Sequence, residues 1–300
     1  VKWINTLMPA VVIGPTVSII GLSLAGNAIG DLQKAPAGGS SYVAIICGLV
    51  TLAVTMLCAT FGKKMIRLIP FIMGILAGYA VAAIFTVIGN AAGIDALKVI
   101  DFSHLTALVS NGVTVNTFFT IPEFTFLTAL GGFEELNGAY VASIAVAYVP
   151  VAFVVFAEHI ADHKNISTII EKDLLEDPGL ARTLLGDGVG SMAGAFFGGC
   201  PNTTYGESVG CVAITGNASV VTIITAAFLA MIISFLTPFV AFVNSIPACV
   251  MGGVCMALYG FIAVSGLKMI QKVDLEDNAN LFTTSVILIT GIGGMALAIG

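Results

Sequence analysis

Two carboxylates set in apolar surroundings carry the most chemical promise in this chain. Glu158 closes a run of Val, Ala and Phe, and Glu207 follows Thr203-Thr204-Tyr205-Gly206. An ionisable side chain is costly to hold in hydrocarbon, so such residues mark ion or substrate paths. A carboxylate accepts hydrogen bonds from ring N–H groups, and backbone N–H groups at a helix start donate to ring carbonyls. Gly206 lets a flat ligand come close to the backbone. A nucleobase such as uracil, with alternating N–H and C=O groups, fits that pattern. Simple inorganic anions fit poorly, because no Lys or Arg lies in the interior of an apolar span. Two plainer readings stand beside this one: Glu158 marking the cytoplasmic end of a helix, and Glu207 capping an external loop.

Proton coupling needs a carboxyl whose affinity for the proton changes with solvation. Glu158 and Asp162 are four residues apart, on one face of a helix, and such carboxylates titrate as a pair. His159 and His163 are alternatives, with an interfacial or loop histidine as the plainer reading of each. Asp187, between Gly186 and Gly188, reads as a polar residue in helix packing. Gly186-Asp-Gly-Val-Gly190, Gly194 and Gly198-Gly199 read as close helix packing. Tyr259 interrupts an apolar helix and either packs there or lines a substrate path. No phosphate-binding loop occurs, which speaks against ATP-driven pumping. No Cys/His metal spacing and no Ser/His/Asp set is present, so neither an enzyme nor a resident cofactor or metal is expected. The six cysteines are scattered singly through apolar stretches and read as small buried hydrophobes.

These residues need a scaffold, and composition names its class. Charged residues are 9% of the 300 and hydrophobic residues 58%. A soluble domain carries roughly 25% charge. The chain is therefore an all-α polytopic membrane protein with the lipid bilayer as its solvent. Nucleic-acid binding, disorder and a secreted disulfide scaffold are excluded. Apolar stretches long enough to cross lie at 6–26, 41–61, 66–89, 138–161, 180–199, 219–243, 246–267 and 280–300. Segment 200–217 opens on Cys200-Pro-Asn-Thr-Thr-Tyr-Gly-Glu207, too polar for a plain lipid-facing helix. It is read as a discontinuous span, a short extended stretch and then a half-helix, making nine spans. With that crossing, nine of the eleven Lys and Arg fall on one side, and the positive-inside rule places loops 62–67, 162–181 and 268–279 in the cytoplasm. The connection 90–137, with Asp95, Asp101, Glu123, Glu134 and Glu135, falls outside as an interfacial, partly ordered segment. A short amphipathic helix is expected within 162–182, ended at Asp177-Pro178-Gly179.

Pro9-Ala-Val-Val-Ile-Gly14 and Pro247-Ala-Cys-Val-Met-Gly252 share the pattern P-A-x-V-x-G, 238 residues apart. Asn5 and Asn244 flank the two copies, and Gly21 with Gly260 and Gly26 with Gly266 follow less strictly. The copies cross in opposite directions, the relationship expected of inverted repeats in secondary transporters. The same offset pairs 41–61 with 280–300. Span 66–89 and the spans between 138 and 243 have no partner at this offset. The expectation is a fragment of a 14-span protein, lacking four spans in front and one behind.

At Phe156-Ala-Glu-His-Ile160, Asp173-Leu-Leu-Glu-Asp-Pro-Gly179 and above all Pro201-Asn-Thr-Thr-Tyr-Gly-Glu207, the chain resembles the nucleobase–cation symporters of the uracil permease type. The likeness runs over nearly all 300 residues. It implies a 7+7 inverted-repeat fold with core and gate domains, usually a homodimer, with this chain covering spans five to thirteen. Gate helices would be 1–89 (spans 5–7) and 244–300 (spans 12–13), and core helices 138–243 (spans 8–11), with 90–137 the external connection. By the same resemblance Glu158 holds the pyrimidine ring and Tyr205, Gly206 and Glu207 form the span-ten site. Tyr259 is the gate tyrosine facing the site. Ser208 stands where the family has Asn. Asp162 stands where the best-known proton-coupled pattern has His, and His163 follows it. Coupling is thus assigned to Glu158, Asp162 and His163, with a proton or a sodium ion co-transported.

The implied function is import of uracil or a related base across the bacterial inner membrane by elevator-like movement of core against gate. A purine or xanthine permease is the nearest alternative. An anion transporter or channel of the same repeat architecture is the runner-up class.

Overall fold

The structure, a computed structural model, describes residues 9–294 except 37, 64, 111, 121–125, 128–130, 133–136 and 201. Within helices it leaves undescribed the side chains at 104, 150, 153, 154, 207, 210, 211, 213 and 214. Asn5, Glu123, Glu134, Glu135 and the stretch 295–300 therefore lie outside the described residues. Among those described, every regular element is a helix, with one isolated antiparallel bridge between Phe119 and Leu236.

Local sequence chemistry explains where the helices stop. The first apolar stretch forms α1 (Ala10–Ser23) and, after a single turn residue at Leu24, α2 (Ala25–Gln33). It thus runs past the expected end at 26. Next come α3 (Ser41–Phe61), α4 (Met65–Leu68) and α5 (Pro70–Ala92). Span 66–89 is divided because Pro70, lacking an N–H, opens a new helix in its first turn. Gly93 closes α5 in the left-handed conformation at φ 68°. The connection beyond it holds α6 (Ser103–Ser110) and α7 (Val115–Phe118). Pro238 likewise divides span 219–243 into α11 (Val220–Ser234) and α12 (Thr237–Asn244). The last two helices are α13 (Ala248–Ile270) and α14 (Asn278–Ile292).

Between these lie α8 (Gly138–Ile170), α9 (Leu180–Phe196) and α10 (Gly206–Thr215). The separate amphipathic helix expected within 162–182 does not form. α8, 33 residues long in all, instead runs on unbroken into that segment as far as Ile170, because no Gly or Pro interrupts 161–170 and propagation costs less than a second nucleation. Glu171 then ends it in the left-handed region at φ 54°. Residues Leu175–Gly179 make one irregular turn, with Asp177 extended and the Asp177–Pro178 peptide cis.

Four helical stretches among the described residues are long and apolar enough to cross a membrane: Ala10–Gln33, Ser41–Phe61, Pro70–Ala92 and Ala248–Ile270. Shorter apolar segments are Gly138–Val149, Val220–Ser234 and Asn278–Ile292. This agrees with an all-α polytopic membrane protein.

The chain divides into two compact units: 1–17, 122–218 and 265–291 form one, and 18–121, 219–264 and 292–300 the other. In the second unit α3 and α5 pack through stripes of small residues. Gly74 lies against Thr55 and Gly78 against Thr51, so the two helices run antiparallel with their backbones close. Ala44, Cys47, Ala82, Val99, Ile100, Cys249 and Val250 form the buried cluster there. Thr86 closes it: its hydroxyl donates to Ala82 O and accepts from the Val99 and Ile100 N–H groups, both at 3.0 Å. Among the described residues, the close packing expected at Gly186, Gly188, Gly190 and Gly194 is not found, since a Cβ on any of them meets no described atom within 4 Å.

Candidate functional site

The site is built on the C-terminal half of α8, in the first unit. Ile160 packs with Leu175 and Leu180 in a small buried cluster flanked by Phe156 and Leu184. That cluster holds the end of α8 against the start of α9. Backbone capping secures the link: Leu174 N–H donates to Ser167 Oγ at 3.0 Å, and Leu175 N–H to Asp173 Oδ1 at 2.9 Å. Glu158 and Asp162, both half-buried, lie one turn apart on α8.

Opposite Asp162 the chain is not helical. Residues 202–205 are irregular, and Tyr205 is extended at the N-cap position (φ −109°, ψ 95°) before α10 begins at Gly206. Among the described residues the discontinuous segment thus has an irregular stretch, extended at Tyr205, followed by a half-helix. Thr204 Oγ1 donates to Asp162 Oδ2 at 2.7 Å. A Cβ on Gly206 would stand 3.0 Å from Asp162 Oδ1. The carboxylate thus lies at the start of α10, where the helix dipole favours negative charge. A glycine suits this position sterically, because a side chain at 206 would press on Asp162.

His159 is only 1% exposed. Burial of this kind departs from the interfacial histidine that is the plainer sequence reading. Its Nδ1 is 3.2 Å from Asp187 Oδ2 and its Nε2 is 3.0 Å from Thr183 Oγ1, both on α9. His163 stacks on the His159 ring at 4.0 Å between centroids and donates from Nδ1 to His159 O at 2.8 Å. Ser191 Oγ donates to Asn202 O at 2.6 Å and lies 2.7 Å from Asn202 Oδ1. Three polar links therefore join α8, α9 and the extended stretch around one point.

Of the candidate residues, Glu158, Asp162, His163, Tyr205 and Gly206 all lie in this unit, with the Tyr205 side chain 60% exposed. Glu207 is the second residue of α10, and its side chain lies outside the described residues. Tyr259 belongs to α13 in the other unit, beside Gly21, at a cavity of about 160 Å³ that Ala28 and Met256 also line. In the sequence, Thr183 and Ser191 are not singled out as site residues, and Asn202 and Thr204 stand in the polar run before Glu207 without a role. The signal available for the first two was the spacing Thr183, Asp187, Ser191, one polar stripe on a helix of small and apolar residues.

Comparison with known proteins places this geometry in context. The profile described as Permease family matches residues 1–300. The uracil permease of Bacillus caldolyticus is 38% identical over 300 residues, covering 99% of this chain and 64% of that protein. The uracil permease of Bacillus subtilis is 36% identical over 298 residues, covering 97% and 63%. The uracil permease of Escherichia coli K12 is 36% identical over 302 residues, covering 99% and 63%. The chain spans just under two thirds of the length of these curated relatives.

Proposed function

The chain belongs to the Permease family, and from that premise we propose that the full-length protein is a secondary transporter importing uracil or a related nucleobase. The observation that carries the reading is the carboxylate face of α8 set against the start of a half-helix, in a chain similar to three uracil permeases. Names of this kind belong to permeases and not to enzymes. In this reading Glu158 and Glu207 accept from the ring N–H groups, Gly206 and the start of α10 offer backbone N–H to a ring carbonyl, and Tyr205 and Tyr259 complete the contacts. Hydrogen bonds to charged groups contribute about 1.5–3 kcal/mol each, so losing either carboxylate weakens base binding at least tenfold.

Coupling falls to Glu158, Asp162 and His163, with a proton or a sodium ion as the co-transported species. Charge on a buried carboxylate face is costly, and a cation arriving with the base offsets it. The accompanying organisation is 138–243 as core, 1–89 and 244–300 as gate, and 90–137 as external connection, moving as an elevator in a homodimer of the bacterial inner membrane. Loops 62–67, 162–181 and 268–279 are cytoplasmic in this arrangement.

Contact numbering supports an inverted repeat with an offset of 238. Gly14 lies against Gly266 O and Ile270; Gly252 lies against Ala28 O and Leu32. Adding the offset to 14, 28 and 32 turns the second set of contacts into the first, as a two-fold relation between repeats requires. The helix starts at Ala10 and Ala248 obey the same offset.

Uptake of radiolabelled uracil by the full-length protein in proteoliposomes tests the function. Each run compares acid with mildly alkaline external buffer, with and without a sodium gradient. Uptake of radiolabelled xanthine with none of uracil would move the substrate to the purines. Absence of any response to pH would remove proton coupling. An anion transporter or channel of the same architecture would carry chloride or sulfate in the same vesicles and leave uracil outside.

A further inference from the structure

We propose that Asp187, acting through His159, is a positioning residue for the base site, an inference that rests on the transport reading above. α8 carries two adjacent stripes, Glu158 with Asp162 and His159 with His163, about 100° apart around the helix. α9 carries one, Thr183, Asp187 and Ser191. The histidine stripe meets the α9 stripe: Asp187 Oδ2 takes Nδ1 at 3.2 Å and Thr183 Oγ1 sits 3.0 Å from Nε2. Both nitrogens of a ring that is 1% exposed are thereby engaged.

Rotating α8 would pull that buried imidazole from both partners at once, leaving polar atoms unsatisfied. The pair therefore sets the rotation of α8, and with it the direction in which Glu158 and Asp162 face. The same α9 stripe ends on Ser191, which holds Asn202, two residues before the Thr204 that donates to Asp162. Both walls of the site are indexed to one line of residues that itself touches no base. The groups gathered on His159 are Asp187 and Thr183 from α9 and the stacked His163 from its own helix.

The test uses full-length protein carrying Asp187→Ala, Asp187→Asn or Ser191→Ala. A positioning role raises the KM and Kd for uracil about tenfold or more in Asp187→Ala, with turnover per folded transporter kept within about twofold. Asp187→Asn brings KM back to within about threefold, because the amide oxygen still accepts from Nδ1–H. An unchanged KM, a fall in turnover alone, or no rescue by Asn overturns the proposal. A ligand-free measurement separates its failure from failure of the uracil reading. Backbone amide exchange over 158–163 quickens in Asp187→Ala, and over 202–206 in Ser191→Ala. Unchanged exchange in both overturns the proposal even if uracil binds, whereas a wild-type protein that binds no base sinks only the uracil reading.

Discussion

Thr204 Oγ1 donates a hydrogen bond to Asp162 Oδ2 across 2.7 Å, joining the irregular stretch before α10 to α8. Asp162 is thereby both a titratable group and a mechanical tie. The two roles separate by substitution. Asp162→Asn keeps an oxygen that accepts from Thr204, so uracil binding stays within about threefold of wild type. The response of uptake to an imposed pH gradient is lost, because an amide does not titrate. Asp162→Ala loses both. Equilibrium binding and gradient-driven uptake, measured side by side, check this.

Gly206→Ala places a methyl group 3.0 Å from Asp162 Oδ1. The carboxylate must shift away, which loosens its bond to Thr204 and moves the start of α10. Base affinity falls by about tenfold, the loss expected for roughly one charge-assisted hydrogen bond. Isothermal titration with uracil reads the change, and an unaltered affinity would remove Asp162 from the site.

Thr86→Val replaces the buried hydroxyl that accepts from the Val99 and Ile100 N–H groups. Leaving a buried N–H without an acceptor costs about 1–3 kcal/mol. Thermal unfolding in detergent should come earlier, and exchange at those two amides should quicken while the rest of α5 stays protected.

Gly74→Val drives a branched side chain into Thr55, which itself donates to Thr51 O at 2.8 Å. Overpacking of this kind costs about 1–3 kcal/mol. Gly186→Ala is the control, because a Cβ there meets nothing within 4 Å. The melting temperature should drop for the first substitution and hold for the second.

Much of the fold is legible in the sequence. Apolar stretches mark the helices, and the polar run from Asn202 to Tyr205 marks the interruption before α10. The errors have local causes. Pro70 and Pro238 each divide a stretch that hydropathy alone reads as continuous, and the end of α8 is extended by ordinary helix formers among its charges. The glycines of α9 look like packing positions, yet among the described residues close approach occurs at other glycines, such as Gly74 and Gly78, where Thr55 and Thr51 face them. Composition says that a helix can be approached closely; it does not say by what.

The sequence alone determined the class of the protein and the identity of its two carboxylate candidates. Transfer from water to hydrocarbon is a sum over neighbouring residues, so a local window suffices to read it. Only the tertiary structure decided that His159 is buried against Asp187, that Thr204 meets Asp162, and that Ser191 holds Asn202. Those pairings join residues 28, 42 and 11 positions apart, and they depend on how each helix is rotated about its axis. Rotation is set by the packing of all neighbours at once, which no local window contains.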